Sequence, residues 1–282
     1  MTSMKSRSEP SAVIINGFDR SGTSAIVRTL AQHPEIEIFM QPFNSGPIRR
    51  RMNEIWDERV ADAADIRFFR GLEARRIERD YIASHWFERD STTTTFLPGR
   101  LHVIKTTINH LAVRWIRDAF PALDQWAIWR EPIDILASLI RNGFDEAWYA
   151  GAFEELVPTV RADPWLEARF ARLIEAAAHP HARTAFVIAT RNAFLMRHTE
   201  PDRILRFEDF VRLGPGSLKV FSERYGLAPC EFVAAGDLNI IGKAHEPGAS
   251  HVGAIDPAAR DAVEAIFAPL KAVMETKAPA GR

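Results

Sequence analysis

The apolar positions of this chain come in short runs separated by longer helical patterns. Val13, Ile14 and Ile15 make a β-branched run of strand character, and Ala25 to Gln32 follow with helix-forming residues. Glu35 to Met40, EIEIFM, reads as a second strand, and Gln41 to Pro47 form a loop at its end. Trp126 to Trp129 read as a buried strand. Pro132 then stands where a first helical turn tolerates proline, and Ile133, Leu136, Leu139 and Ile140 recur at helical spacing. Ala185 to Arg197 and Ser217 to Tyr225 are expected as core helices flanking a strand that carries Arg206. This alternation predicts an α/β fold, three layers around a central, mainly parallel sheet. Residues 48–100, charged and mostly helical, and residues 143–183, with Trp148, Tyr149, Phe153 and Trp165 among acidic residues, interrupt the rhythm. They are expected to be helical insertions, forming a lid or a recognition element within a single domain over 1–282.

Composition narrows the class. With 282 residues and 46% hydrophobic content, the chain can bury one large core. A net charge of −1 argues against a nucleic-acid surface, which needs a basic excess. The single cysteine, Cys230, excludes an internal disulfide framework and a paired-cysteine metal knuckle. No run approaches the roughly eighteen apolar residues of a membrane span, and the N-terminal MTSMKSRSEP lacks the apolar centre of a signal peptide. A soluble, cytoplasmic protein is expected.

The chemistry starts at Val13 to Ser24, VIINGFDRSGTS. Gly17 and Gly22 occupy the glycine positions of the Walker A loop, G-x-x-x-x-G-K-[ST], and Ser24 its last hydroxyl position, but Thr23 stands in place of the lysine. Between a strand and a helix start, such a loop directs backbone N–H groups and the positive helix end at one point, a setting for phosphate or sulfate. The anion site of a P-loop NTPase-like fold is therefore kept, while the lysine that bridges the terminal phosphates of a nucleoside triphosphate is lost. Arg20 supplies the positive charge instead.

A second motif follows Trp126 to Trp129. Arg130 closes that strand and Ser138 lies one to two turns into the next helix, in Arg130-Glu131-Pro132-Ile133-Asp134-Ile135-Leu136-Ala137-Ser138. A guanidinium grips phosphate through two parallel charge-assisted hydrogen bonds, and a hydroxyl adds a third without charge. Together, Arg20-Ser21-Gly22-Thr23-Ser24 and Arg130-x7-Ser138 resemble the two donor-binding motifs of sulfotransferases that use 3′-phosphoadenosine 5′-phosphosulfate (PAPS). In that family the first loop wraps the 5′-phosphate and the second binds the 3′-phosphate. His102 to Pro121 is similar to the family's third-strand segment, which makes Lys105 its strand-closing lysine, and Arg203 to Phe210, RILRFEDF, looks like a later strand that frames the nucleotide. A weaker likeness, over Gly242 to Val263, is to a loop that closes over the donor before a short terminal helix.

The resemblance implies transfer of a sulfuryl group from PAPS to a hydroxyl or amine, leaving adenosine 3′,5′-bisphosphate (PAP), with no metal. Arg20, Ser21, Gly22, Thr23, Ser24, Arg130 and Ser138 would bind the donor, and Arg20 and Lys105 would neutralise the leaving phosphate. The implied partner is a small-molecule, lipid or carbohydrate acceptor, with a homodimer left open. Both general bases usual in the family are absent: Gln41 replaces the glutamate of the loop after the second strand, and Thr107 stands two residues after Lys105 where cytosolic relatives have histidine. His110 is expected to be the base, as an exposed, mostly neutral imidazole brought to the site by a helix starting between Thr107 and His110. Asp19, His245, Glu246 and His251 are the other candidates, with Asp19 placed to orient Arg20. Two competing readings are a nucleoside-triphosphate kinase or ATPase, which Thr23 opposes, and a non-catalytic nucleotide-binding relative that has lost its base. Arg49-Arg50-Arg51 reads as a solvated helix start, Trp115, Trp126 and Trp129 as core, and His33, before Pro34, as a helix terminator.

Overall fold

The computed structural model describes residues 12–40, 51–76, 97–143, 146–232 and 251–277. Five strands, β1 (Ala12–Asn16), β2 (Ile36–Met40), β3 (Leu101–Thr106), β4 (Leu123–Trp129) and β5 (Ile204–Arg206), pair in parallel in the order β2-β3-β1-β4-β5. The chain leaves β1 toward β2 on one side, and later crosses back from β3 to β4 on the other. The crevice beside the carboxyl end of β1 is thus a topological switch point, where open parallel sheets bind ligands.

Both sheet faces are covered, which explains the runs of strand residues that are apolar without alternation. One face carries Val13 and Ile15 and packs on α1 (Thr23–Leu30), α8 (Phe207–Leu213) and α9 (Lys219–Arg224) through Ile26, Val27, Leu30, Phe210 and Phe221. The opposite face carries Ala12 and Ile14 and packs on α2 (Ala63–Glu73) and α3 (Val113–Ala119). Beyond β4 the same side is filled by α4 (Pro132–Arg141), α5 (Glu146–Ala162), α6 (Pro164–Phe170), α7 (Pro180–His198) and α10 (Arg260–Glu275). The result is the expected three-layer α/β fold on a parallel sheet. No helix among the described residues is long and apolar enough to cross a membrane.

Several expectations need correction. Within 48–100, α2 is part of the core rather than a lid: Phe68, Phe69 and Leu72 are buried against Trp115 and Phe120. Arg51 is not a solvated helix start but binds Asp62 and Asp65, the two acids of the capping box of α2, and lies over Trp56. Arg203 to Phe210 is not one strand. It turns helical at Phe207, because Phe207 and Phe210 lie three apart on one buried face and Glu208 and Asp209 favour a first turn. The terminal helix is not short, since α10 runs sixteen residues and packs along α7. Trp115, Trp126 and Trp129 are core, and His33 closes the turn after α1 by accepting from Glu35 N at 3.1 Å and pairing with Ala228 O at 2.8 Å.

Candidate active site

The loop from Gly17 to Gly22 leaves β1 at its carboxyl end. Gly17 N donates to Thr106 O of the neighbouring strand at 3.2 Å, and Ser21 N closes a turn onto Phe18 O at 3.0 Å. Arg20 (φ 67°) and Gly22 (φ 86°) both take left-handed backbone on either side of Ser21. Glycine adopts this freely, whereas an arginine there stores about 1 kcal/mol or more of strain, a feature that concentrates at functional sites. The turn ends in α1, whose first-turn N–H groups receive no side-chain cap and face no acidic residue of that turn. Such an end suits a phosphate oxygen. The Ser21 and Thr23 hydroxyls are buried and pair with each other at 3.2 Å.

The two sequence motifs meet side by side. Arg20 Nε donates to Ser138 Oγ at 3.2 Å across 118 residues of sequence, and Arg130 Nη1 donates to Arg20 O at 2.8 Å. Arg130 also stacks over the Phe207 ring at 4.9 Å, and the same ring packs under Gly22. Glu208 Oε1 accepts from Glu131 N at 2.8 Å, tying the turn after β5 to the start of α4. Burial lowers the pKa of both arginines, with Asp134 and Glu208 opposing the shift at Arg130 and Asp19 at Arg20. Guanidinium starts so high that both stay cationic.

Lys105, one residue before the end of β3, lies beside Ile15 and Met40 on the face shared with α1. It is fully buried, and loss of solvent lowers its pKa from the 10.5 of a free lysine to about 8, with Asp19 opposing and Arg28 reinforcing the shift. Its charge is complete below that value and disappears above it. We therefore expect binding of a phosphate ligand to weaken above pH 8, by up to about tenfold per pH unit, in calorimetric titrations run from pH 6.5 to 9.5. Stability moves the other way: between 8 and 10.5 the unfolded chain holds the proton more tightly, so this group's contribution to stability rises with pH. Pressing both measurements on one Lys105→Met variant should flatten both responses.

On the opposite face of the sheet the loop meets a buried polar cluster. His110 is not the exposed imidazole expected: it is fully buried, it precedes α3 instead of sitting within a helix, and its ring packs 5.5 Å from Phe18 of the loop. Burial, with Arg191 adding to it, holds its pKa well below 6.5, so the ring is neutral. Phe18 also stacks on Tyr149 at 6.3 Å. Arg191, buried in α7, donates through Nε to Asn53 Oδ1 at 3.0 Å and through Nη2 to the same oxygen, and Asn53 Nδ2 donates to Glu155 Oε2 at 2.8 Å. Desolvation lowers the Arg191 pKa to about 10, against the pull of Tyr149, Asp19 and Glu155. Asp19 is within electrostatic reach of Arg20, Lys105, Tyr149 and Arg191, so it stands among the site's cations as their shared counter-charge.

Tyr149, Arg191 and Asn109 were not singled out as site residues from the sequence. Arg191 left one usable signal, the single charge in the otherwise uncharged Ala185–Met196 stretch. Gln41 to Phe43, Arg49, Arg50, His245 and Glu246 lie outside the described residues, as does the side chain of His251. A surface groove of about 660 Å³ lined by Trp165, Arg169, Arg197 and Lys277 contains none of the loop residues. Among the described residues no group of three or more His, Cys, Asp or Glu side chains could hold a metal ion. A family model described as the sulfotransferase family matches residues 10–212, which include the Arg20–Ser24 loop, the Arg130–Ser138 segment, β1 to β5 and all but the last residue of α8. No curated protein matches the chain.

Proposed function

The chain belongs to the sulfotransferase family, and from this we propose that it moves a sulfuryl group from PAPS to a hydroxyl or amine of a small-molecule, lipid or carbohydrate acceptor. The observation that carries the donor assignment is the joining of the two motifs: Arg130 holds the main chain of the first loop while Ser138 holds its arginine side chain. A donor with phosphate at both ends of one adenosine asks for two such gripping points within one crevice, and an uncapped helix start adds the N–H groups. A nucleoside triphosphate would ask for the absent loop lysine.

Bound PAPS supplies the transferable sulfuryl group, and PAP remains after transfer. Arg20 and the N–H groups of Ser21 to Ser24 hold the 5′-phosphate, and Arg130 with Ser138 holds the 3′-phosphate. Lys105 and Arg20 meet the negative charge that grows on the leaving phosphate, in a water-poor setting where such a contact is worth more than in solvent. By analogy with phosphoryl transfer, positioning and charge do most of the work. His110 takes the acceptor's proton: its ring is neutral and both nitrogens are unbonded among the described residues.

Isothermal titration with PAP, against ATP and Mg²⁺ as control, tests the donor. Binding of PAP with no ATP heat is the expected result, and the reverse would turn the protein into a triphosphate-using relative. In the same assay Arg130→Ala should weaken PAP by about 1.5–3 kcal/mol, or roughly 10- to 150-fold, while Arg130→Lys, which keeps charge but loses the fork, recovers only part. Unchanged affinity in Arg130→Ala removes that residue from the donor site.

A further inference from the structure

On and beside the loop of Phe18 the structure buries polar groups that nothing among the described residues satisfies. Asn16 Nδ2 and Oδ1, Asn109 Nδ2 and Oδ1, His110 Nδ1 and Nε2, and the Tyr149 hydroxyl, seven atoms on four side chains, have no hydrogen-bond partner among the described residues. Buried polar groups in folded proteins are rarely left unpaired, because each forfeits its hydration for no return. These seven are also not scattered. Asn16 closes β1 immediately before the donor loop, two residues from Phe18, and lies opposite Thr106, the last residue of β3, from which the 107–112 segment leads on. Asn109 and His110 lie on that segment, while the rings of His110 and Tyr149 both rest on Phe18. Arg191 and Asn53, next to them, are already bonded to each other and to Glu155.

We infer, resting on the sulfotransferase reading, that Asn16, Asn109, His110 and Tyr149 form the acceptor pocket and that its occupant is a hydroxyl-rich molecule of sugar or polyol type. The chemistry of the set gives the class. Two amides, an imidazole and a phenol are neutral groups that both donate and accept, which matches hydroxyls and matches neither a carboxylate nor a cation. An alkyl or aryl acceptor would leave most of the seven atoms unpaired, whereas a ring bearing several hydroxyls satisfies them and lays its C–H face on Phe18 or Tyr149. All seven atoms are closed from solvent, so the acceptor enters by displacing the Phe18 or Tyr149 ring. One hydroxyl then faces His110, whose nitrogen takes its proton as the oxygen bonds to sulfur and the bond from sulfur to the donor's phosphate oxygen breaks.

The test uses the full-length enzyme, ³⁵S-labelled PAPS, and two sets of acceptors at equal concentration: glucose, trehalose and myo-inositol against 2-naphthol and octanol. Sugar- or inositol-dependent appearance of ³⁵S in a sulfated product, above the label released as sulfate with water alone, is expected. Tyr149→Phe, which deletes only the hydroxyl, should then raise KM for the best sugar about threefold to tenfold with little change in kcat or in PAP affinity. It should also raise the melting temperature of the ligand-free enzyme by about 2–4 °C, since an unpaired buried group has been removed. A hydroxyl that merely stabilises the fold, through a trapped water, predicts a lower melting temperature and an unchanged KM, and that result overturns the inference. So does a preference for naphthol or octanol, or PAP binding with no turnover of any hydroxyl-rich acceptor. Failure of PAP to bind the unmodified enzyme would instead take down the sulfotransferase donor reading itself.

Discussion

Gly22→Ala is expected to abolish donor binding and to cost about 2–5 kcal/mol of stability, the sum expected for overpacking and left-handed strain. Two independent effects meet at this position. With φ at 86°, Gly22 holds a conformation that a β-carbon disfavours. A β-carbon there would also overlap Cδ2 and Cε2 of Phe207 and stand 2.9 Å from its Cγ. Phe207 has little room to retreat, because its other contacts include the Arg130 guanidinium and the buried cluster with Ile26 and Phe210. Relief of the clash therefore has to move the loop, and with it Arg20 and the N–H groups at the start of α1. Combining the change with Phe207→Ala should restore space but not the backbone preference. The double variant is expected to regain part of the stability lost by Gly22→Ala and little of the PAP affinity, by thermal melting and calorimetry respectively. A single variant that binds PAP normally would show that the turn does not form the anion site.

His110→Gln is expected to lower kcat by about a hundredfold or more while PAP affinity stays within about twofold, as follows from losing a general base and not a donor contact. Glutamine keeps the bulk and hydrogen-bonding character of the side chain, which limits collapse around a fully buried position. It has no proton acceptor of useful basicity. Because burial and Arg191 keep the imidazole neutral well below pH 6.5, the acid limb of the unmodified enzyme's kcat profile should lie below that value. Binding of the negatively charged donor will draw it upward, since anions favour the imidazolium. Normal turnover in His110→Gln would remove the residue from proton transfer and turn attention to Asp19, which stands among Arg20, Lys105, Tyr149 and Arg191.

The two motifs proposed to bind the donor were legible because each is local. Gly17, Arg20 and Gly22 belong to one strand-loop-helix turn, and Arg130 and Ser138 to the end of β4 and the helix after it, so residue type and spacing already place each motif at the carboxyl end of a strand. The boundary errors arose where a local pattern had two readings. RILRFEDF has the β-branched and aromatic content of a strand, yet its phenylalanines sit three apart, and tertiary burial of that face decided for helix at Phe207. The stretch containing α2 looked like an insertion because it is charged, although its Phe68, Phe69 and Leu72 complete a layer of the core.

By itself the sequence determined the fold class and the sulfotransferase resemblance, and it marked the two motifs proposed to hold the donor, since each follows from neighbours within a few turns of chain. Only the tertiary structure decided that Arg20 and Ser138 touch, that His110 is buried and neutral, that its ring and that of Tyr149 both rest on Phe18, and that the side chains of Asn16 and Asn109 are buried with no partner among the described residues. Arg191 and Asn53, 138 residues apart, meet beneath the same loop. The reason is physical: burial and the pairing of polar groups depend on how α5 and α7 pack beyond β4, and no periodicity or spacing along one segment records which distant side chain that packing will bring to it.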